Sequence, residues 1–158
     1  ADAIFSIYEE SKIKGKLTFQ EIFRCPLVCV CRKGYLDSDK KEISIDELEN
    51  EKLIFCDPLS LAPEIAQFQW KLAAGRPLAD IHFCHSPEMS VILAAAGFGL
   101  AILPDNFLPP IENIDVISLP ESPRFSIGLF FHADSENTVL KEFVQGTKNQ
   151  FSTFSDID

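Results

Sequence analysis

Residues 86–104, SPEMSVILAAAGFGLAILP, decide the fold. Ser86 carries a hydroxyl suited to capping a helix, Pro87 fits the first helical position because it has no amide to lose, and Glu88 adds an acid at the positive end of the helix dipole. The helix predicted from these signals runs through Ala96 and stops at Gly97, which without a Cβ can take the left-handed conformation that ends helices. Ala94, Ala95 and Ala96 are small enough to let that end approach a sheet closely. Gly99 lets the backbone enter a strand without a Cβ clash, and Gly99 to Leu103 (GLAIL) is apolar and closed by Pro104. A capped helix feeding a buried strand through a glycine corner is the repeating unit of α/β sheets.

Upstream the pattern repeats. Lys52 to Cys56 (KLIFC) reads as a strand ending in Asp57-Pro58, and Pro63 sits in the first turn of a helix that carries Ile65, Phe68, Trp70 and Leu72 and ends at Gly75. Asp80 to Cys84 (DIHFC) is the next strand. Further back, Leu27 to Cys31 (LVCVC) is a strand bounded by Pro26 and Lys33-Gly34, and Ser44 ahead of Asp46 and Glu47 starts a short helix to about Asn50. Phe19 to Phe23 leads into Pro26. Ala3 to Ile7 (AIFSI) is a buried strand followed by an exposed connection from Glu9 to Lys16; such a strand needs neighbours, so an upstream segment is expected to belong with it.

Downstream, Ile114 to Leu119 and Arg124 to His132 read as strands. A last helix is expected with Ser135 as its cap and Val139, Leu140, Phe143 and Val144 on one apolar stripe up to about Phe151, with fraying from Ser152 to Asp158. Strands and helices alternating over short links predict a largely parallel sheet with helices on its faces.

The chain has 158 residues and 46% hydrophobic composition, enough for one compact domain or two small lobes. Its net charge of −10 repels phosphate backbones and anionic membranes, so this chain is not expected to bind DNA itself. Lys12, Lys14 and Lys16 are the only basic cluster and read as a solvated loop. No run approaches a membrane span, no export signal opens the chain, and Cys25, Cys29, Cys31, Cys56 and Cys84 lie mostly in strand-like runs. Reduced thiols filling a core in the cytoplasm are expected.

The stretch from Ser86 to Pro104 is similar to the helix, A-A-G-x-G turn and strand of LysR-type effector domains. Pro26 to Gly34 (PLVCVCRKG), followed by Ile43-Ser44-Ile45-Asp46-Glu47-Leu48 and Leu53-Ile54-Phe55, resembles the same family in the same order. The resemblance implies a periplasmic-binding-protein type II-like α/β fold of two Rossmann-like lobes with the first lobe truncated. Residues 1–19 and 121–158 would be the remnant of lobe I, and residues 20–120 lobe II. It implies a co-inducer-binding domain of a bacterial transcription regulator, with a small organic molecule, an organic acid among the options, in the cleft. It also implies a homodimer, no cofactor, and DNA bound only through a winged helix-turn-helix not present in this sequence.

Helix N-termini at the C-terminal ends of strands can hold carboxylates with backbone amides alone. Two such starts occur, Asp57-Pro58-Leu59-Ser60 and His85-Ser86-Pro87, which makes Pro58, Leu59, Ser60, His85, Ser86 and Pro87 ligand candidates; plain capping is the alternative for the serines. The family's pattern adds Ser6, Ile7 and Tyr8, with Tyr8 as a mere lobe cover the alternative. His82, Cys84 and His85 form H-x-C-H, but on a strand His82 and Cys84 share one face while His85 leaves on the other, and zinc-type pairs are missing. No metal site is expected. No nucleophile elbow, phosphate loop or H-E-x-x-H helix occurs, and Cys84 beside His85 is the one adjacent Cys–His pair. Trp70 and the phenylalanines read most simply as core, a partner-facing stripe being the alternative. The competing functions are a solute-binding protein of a transport system, disfavoured by the missing export signal and the thiols, and a small α/β enzyme.

Overall fold

The computed structural model describes residues 2–13, 17–37, 39–134 and 136–152. In chain order the elements are β1 (Ala3–Ile7), α1 (Glu10–Ile13), β2 (Leu17–Cys25), β3 (Leu27–Arg32), α2 (Ile45–Leu48), β4 (Leu53–Cys56) and α3 (Pro63–Ala73). They continue with β5 (Ile81–Cys84), α4 (Pro87–Ala95), β6 (Leu100–Pro104), β7 (Ile114–Ser118), β8 (Phe125–His132) and α5 (Thr138–Ser152). Two compact units result, one of residues 1–25 with 124–158 and one of residues 26–123.

The 26–123 unit is built on a five-stranded sheet in the order β5-β4-β6-β3-β7. β4 pairs in parallel with β5 and with β6, the strands linked through the crossover helices α3 and α4. β3 runs antiparallel to both β6 and β7. The largely parallel sheet expected from alternation is therefore a mixed one. The reason lies in one strand: β4, β5, β6 and β7 all point the same way, and β3, inserted between β6 and β7, runs against them.

The glycine corner explains how β6 enters this sheet. Ser86 Oγ accepts from Met89 N at 3.3 Å to cap α4, and Gly97 ends the helix region at φ 88°. A Cβ on Gly99, at φ 151°, would lie 2.3 Å from Lys52 O, so only glycine allows the close approach by which Leu100 N donates to that carbonyl at 2.8 Å. That hydrogen bond stands at the head of the β4–β6 pairing, where Leu53 faces Leu100. On one face of the sheet Val28, Val30, Ile54, Cys56, Cys84, Ala101 and Leu103 pack with Val91 and Ala94 of α4. The alternate residues Leu27, Cys29, Leu53, Phe55, Leu100 and Ile102 are buried too, so β3, β4 and β6 are covered on both faces.

α2 carries a capping box: Glu47 N donates to Ser44 Oγ at 3.3 Å and Ser44 N donates to Glu47 Oε2 at 2.9 Å. Lys40 Nζ donates to Glu47 Oε1 at 2.5 Å, and this contact, followed by the Ser44 hydrogen bonds, holds the Glu47 carboxyl down at about 2. At the other end of the helix Arg76 donates to Leu48 O (2.5 Å), Glu51 O (2.9 Å) and Leu72 O (2.7 Å), tying the exits of α2 and α3 together. Leu48 O also accepts from Glu51 N at 3.0 Å, and Leu72 O lies in the last turn of α3, where helix carbonyls need partners from outside the helix.

The other unit holds a three-stranded antiparallel sheet, β1-β8-β2, with β8 in the centre. β2 is a strand where the sequence reading assigned no element, and its register shifts between Glu21 and Phe23. This bulge breaks the alternation that marks a strand. β2 also carries the unit boundary to Cys25/Pro26, a few residues beyond where the lobes were expected to divide. Tyr8, Phe19 and Phe130 form an aromatic cluster, with Tyr8 and Phe19 ring centres 5.1 Å apart and Phe19 and Phe130 4.7 Å apart.

The expected stripe on α5 is narrower than its apolar residues suggest. Leu140 is buried and Val144 half-buried, while Val139 and Phe143 are exposed. Ser135, expected as its cap, lies outside the described residues; Asn137 Oδ1 accepts from Leu140 N at 3.2 Å and takes that role. Asp80 belongs to a tight turn ahead of β5 instead of the strand itself.

Candidate functional site

The candidate site lies at the C-terminal ends of β4 and β5, where ligands of open α/β sheets bind. In-register pairing brings Cys56 beside Cys84, so the residues just beyond the two strands converge. A cavity of about 200 Å³ is lined there by Asp57, Pro58, Phe83, Cys84 and His85. Asp57 N donates to Cys84 O at 2.8 Å, fixing the two exits against each other.

The segment after β4 differs from the expectation. Pro58–Ser60 is a tight helical turn whose cap is Asp57, with Leu59 N donating to Asp57 Oδ1 at 2.9 Å. α3 starts only at Pro63, after Ala62 and without a side-chain cap, so Ser60 does not open that helix. Pro58 lines the cavity, whereas Leu59 is 95% exposed and does not. The side chain of Ser60 lies outside what is described.

After β5 the expectation is closer. His85 lines the cavity, and Ser86 and Pro87 begin α4 directly behind it. Ser86 is engaged in capping, and its hydroxyl also draws the Glu88 carboxyl below the ordinary value, so the first turn of α4 already carries a local acid. Phe83 and Cys84 are wall residues that the sequence reading did not propose as ligand contacts; the signal that finds them is the equal length of KLIFC and DIHFC, which aligns their ends. Ser6, Ile7 and Tyr8 fall in the other unit. Ile7 is buried there, and Tyr8 is half-buried against Phe19 and Phe130.

A larger cavity, of about 350 Å³, is lined by Ile45, Glu49, Lys71, Leu72, Ala74, Gly75, Arg76 and Pro77. It is the weaker candidate despite its size, because it lies at helix C-termini, away from the strand ends, and its Arg76 is committed to backbone carbonyls.

The five cysteines are free thiols and all are buried. Burial pushes Cys29 and Cys56 up to about 12 and Cys31 to about 11, and raises Cys84 as well. A thiol held protonated is a poor nucleophile. Among the described residues no group of three or more His, Cys, Asp or Glu side chains is placed to hold a metal ion. His82 faces Phe98 edge-on at 5.7 Å.

The mixed α/β architecture, with parallel strands ending at a small cavity and a capped helix beside it, defines the type II periplasmic-binding-protein-like class. The chain belongs to the family of LysR substrate binding domains, which it matches over residues 1–152. None of the curated proteins is a match for it. Among solved structures it is similar to the BenM effector binding domain with its effector benzoate, with a TM-score of 0.75, 17% identity, and 99% of this chain and 72% of that one covered. The effector binding domain of QuiR in complex with shikimate gives a TM-score of 0.72 at 18% identity, covering 96% of this chain and 72% of that one. Full-length CbnR complexed with its target DNA gives 0.72 at 15% identity, with 94% of this chain and 52% of that one covered. These identities speak to the fold.

Proposed function

We propose that this chain is the ligand-sensing part of a LysR-type transcription regulator, and that a small organic acid seats in the cavity at the ends of β4 and β5. The observation that carries the reading is the convergence of Asp57-Pro58 and His85 on one cavity, directly ahead of α4. Phe83 offers an apolar wall and His85 a hydrogen-bonding one, while the first amides of α4 favour an anionic group over the Asp57 side. Benzoate and shikimate, the ligands of the BenM and QuiR structures, are both carboxylates with a six-membered ring and are the natural probes. Ser6, Ile7 and Tyr8 stay as proposals of the family resemblance.

Binding acts by differential affinity for two arrangements of the whole regulator, in which no bond is made or broken. The protonated state of Cys84 supports a binder over an enzyme with a cysteine nucleophile. DNA contact is assigned to a separate part of the full protein, in keeping with the net charge of −10. Among the described residues no helix is long and apolar enough to cross a membrane. The buried free thiols support a reducing, cytoplasmic setting.

We further propose a homodimer. Trp70, expected in the core, is 58% exposed, Leu78 is 81% exposed, and β5 is an edge strand of its sheet. Apolar groups beside an open strand edge suit a second copy of the chain.

The test is thermal unfolding with a panel of ring carboxylates. A ligand at a hundredfold excess over its Kd stabilises the chain by about 2.7 kcal/mol. The shift is expected to shrink in His85→Ala and to stay in Lys71→Ala, which alters the larger cavity. Tyr8→Ala reports on the remaining candidates. A shift lost in Lys71→Ala and kept in His85→Ala overturns the assignment.

A further inference from the structure

We propose that Cys56 and Cys84 form a two-sulfur site for a soft monovalent cation, copper(I) being the biological representative, reached through the cavity that Cys84 lines. The two thiols belong to neighbouring parallel strands in register, and their sulfurs are 3.9 Å apart. One ion bonded to both sulfurs at about 2.3 Å holds them about 3.8 Å apart at a tetrahedral angle and up to about 4.6 Å apart when the two bonds lie in line, the arrangement of a two-coordinate ion, so the pair must open slightly to take it. The Cys84 hydrogen lies among three acceptors, Cys56 Sγ at 3.9 Å, Phe55 O at 3.4 Å and Ser86 O at 3.4 Å. A cation in the place of that hydrogen meets the same electron-rich atoms.

The choice of ion follows from the ligand set. Thiolates select soft ions, and zinc needs further His, Cys or carboxylate ligands that are not grouped here among the described residues. Loading exchanges two S–H bonds for two S–metal bonds and releases two protons, with no change of oxidation state. The product carries one net negative charge, which the positive end of the α4 dipole favours. The net charge of −10 draws cations to the surface from which the cavity opens. Burial keeps both thiols protonated, which slows oxidants that attack thiolate but leaves exchange with a thiophilic ion open. The sequence reading set H-x-C-H aside as a metal motif; the companion of Cys84 lies across the sheet, not along the strand.

The inference does not depend on the organic ligand, and its test does not use one. The fully reduced chain is titrated without oxygen against copper(I) held by a coloured chelator. One equivalent is expected to transfer per chain with release of two protons. Transfer should drop to background in Cys56→Ser and in Cys84→Ser, and persist in Cys29→Ser, which sits on the opposite face of the sheet. Because either serine could disturb folding, X-ray absorption on the copper-loaded unsubstituted chain gives an independent reading, with two sulfur neighbours expected. Copper that stays with the chelator, transfers equally to Cys84→Ser, or shows fewer than two sulfur neighbours overturns the site.

Discussion

In residues 26–123 the strands β3, β4 and β6 are buried at nearly every position, whereas in the unit of residues 1–25 and 124–158 β1 leaves Ile4 and Phe5 exposed. On α5, Leu140 is the one buried side chain among those described. Apolar strand runs thus yield a sheet covered on both faces in one unit and a thinly covered one in the other. The difference teaches that hydrophobic runs locate strands but do not say how much protein will cover them.

Core truncation should show the contrast most strongly. Ile54→Ala and Leu103→Ala remove buried side chains from the covered sheet and are expected to cost about 2–5 kcal/mol each, read by urea unfolding. Val139→Ala, on the exposed side of α5, should stay within about 0.5 kcal/mol. Comparable losses at both positions would erase the distinction between the units.

Glycine replacement comes next and sharpens it. Gly99→Ala forces a Cβ against Lys52 O at a positive φ, and strain of about 1–3 kcal/mol is expected. Gly34→Ala also has a positive φ, 73°, but open space, so its cost should be the smaller of the two. Unfolding curves that rank them the other way would remove the glycine corner from the account.

A milder effect is expected from acid. The Glu47 carboxyl is depressed from 4.5 to about 2, so its contribution is complete above pH 4.5 and disappears as the pH falls toward 2. Lys40→Ala should raise the Glu47 midpoint, followed by carboxyl NMR, and flatten this part of the stability profile. An unchanged midpoint would remove the Lys40 contact as its cause. Asn137→Ala, which removes the α5 cap in the other unit, should cost about 1 kcal/mol and leave the acid profile unchanged.

Local chemistry was legible in the sequence where neighbours along the chain supply it. Ser86-Pro87 and Gly97 announced the start and end of α4, and Ser44 with Glu47 announced α2. β2 was not legible because adjacent polar residues Gln20 and Glu21 and the bulge before Phe23 spoil its period. Nor was the direction of β3, which is set by its pairing with β6 and β7, strands far along the chain. At the candidate site, Pro58 and His85 could be named from the strand ends. Phe83 and Cys84 required the register of β4 on β5, and the committed role of Arg76 depends on carbonyls more than twenty residues away. Trp70 carried no mark in its helix to distinguish a core side chain from an exposed one.

The most direct test of the central claim is amide chemical-shift mapping on the labelled chain during titration with ring carboxylates, benzoate and shikimate included. Perturbations concentrated at Asp57 to Leu59 and Phe83 to Met89, with Lys71 to Arg76 unmoved, are the result this account expects. Ligands that perturb the Arg76 cavity instead, or a panel that leaves the ends of β4 and β5 untouched at saturating concentration, would contradict it.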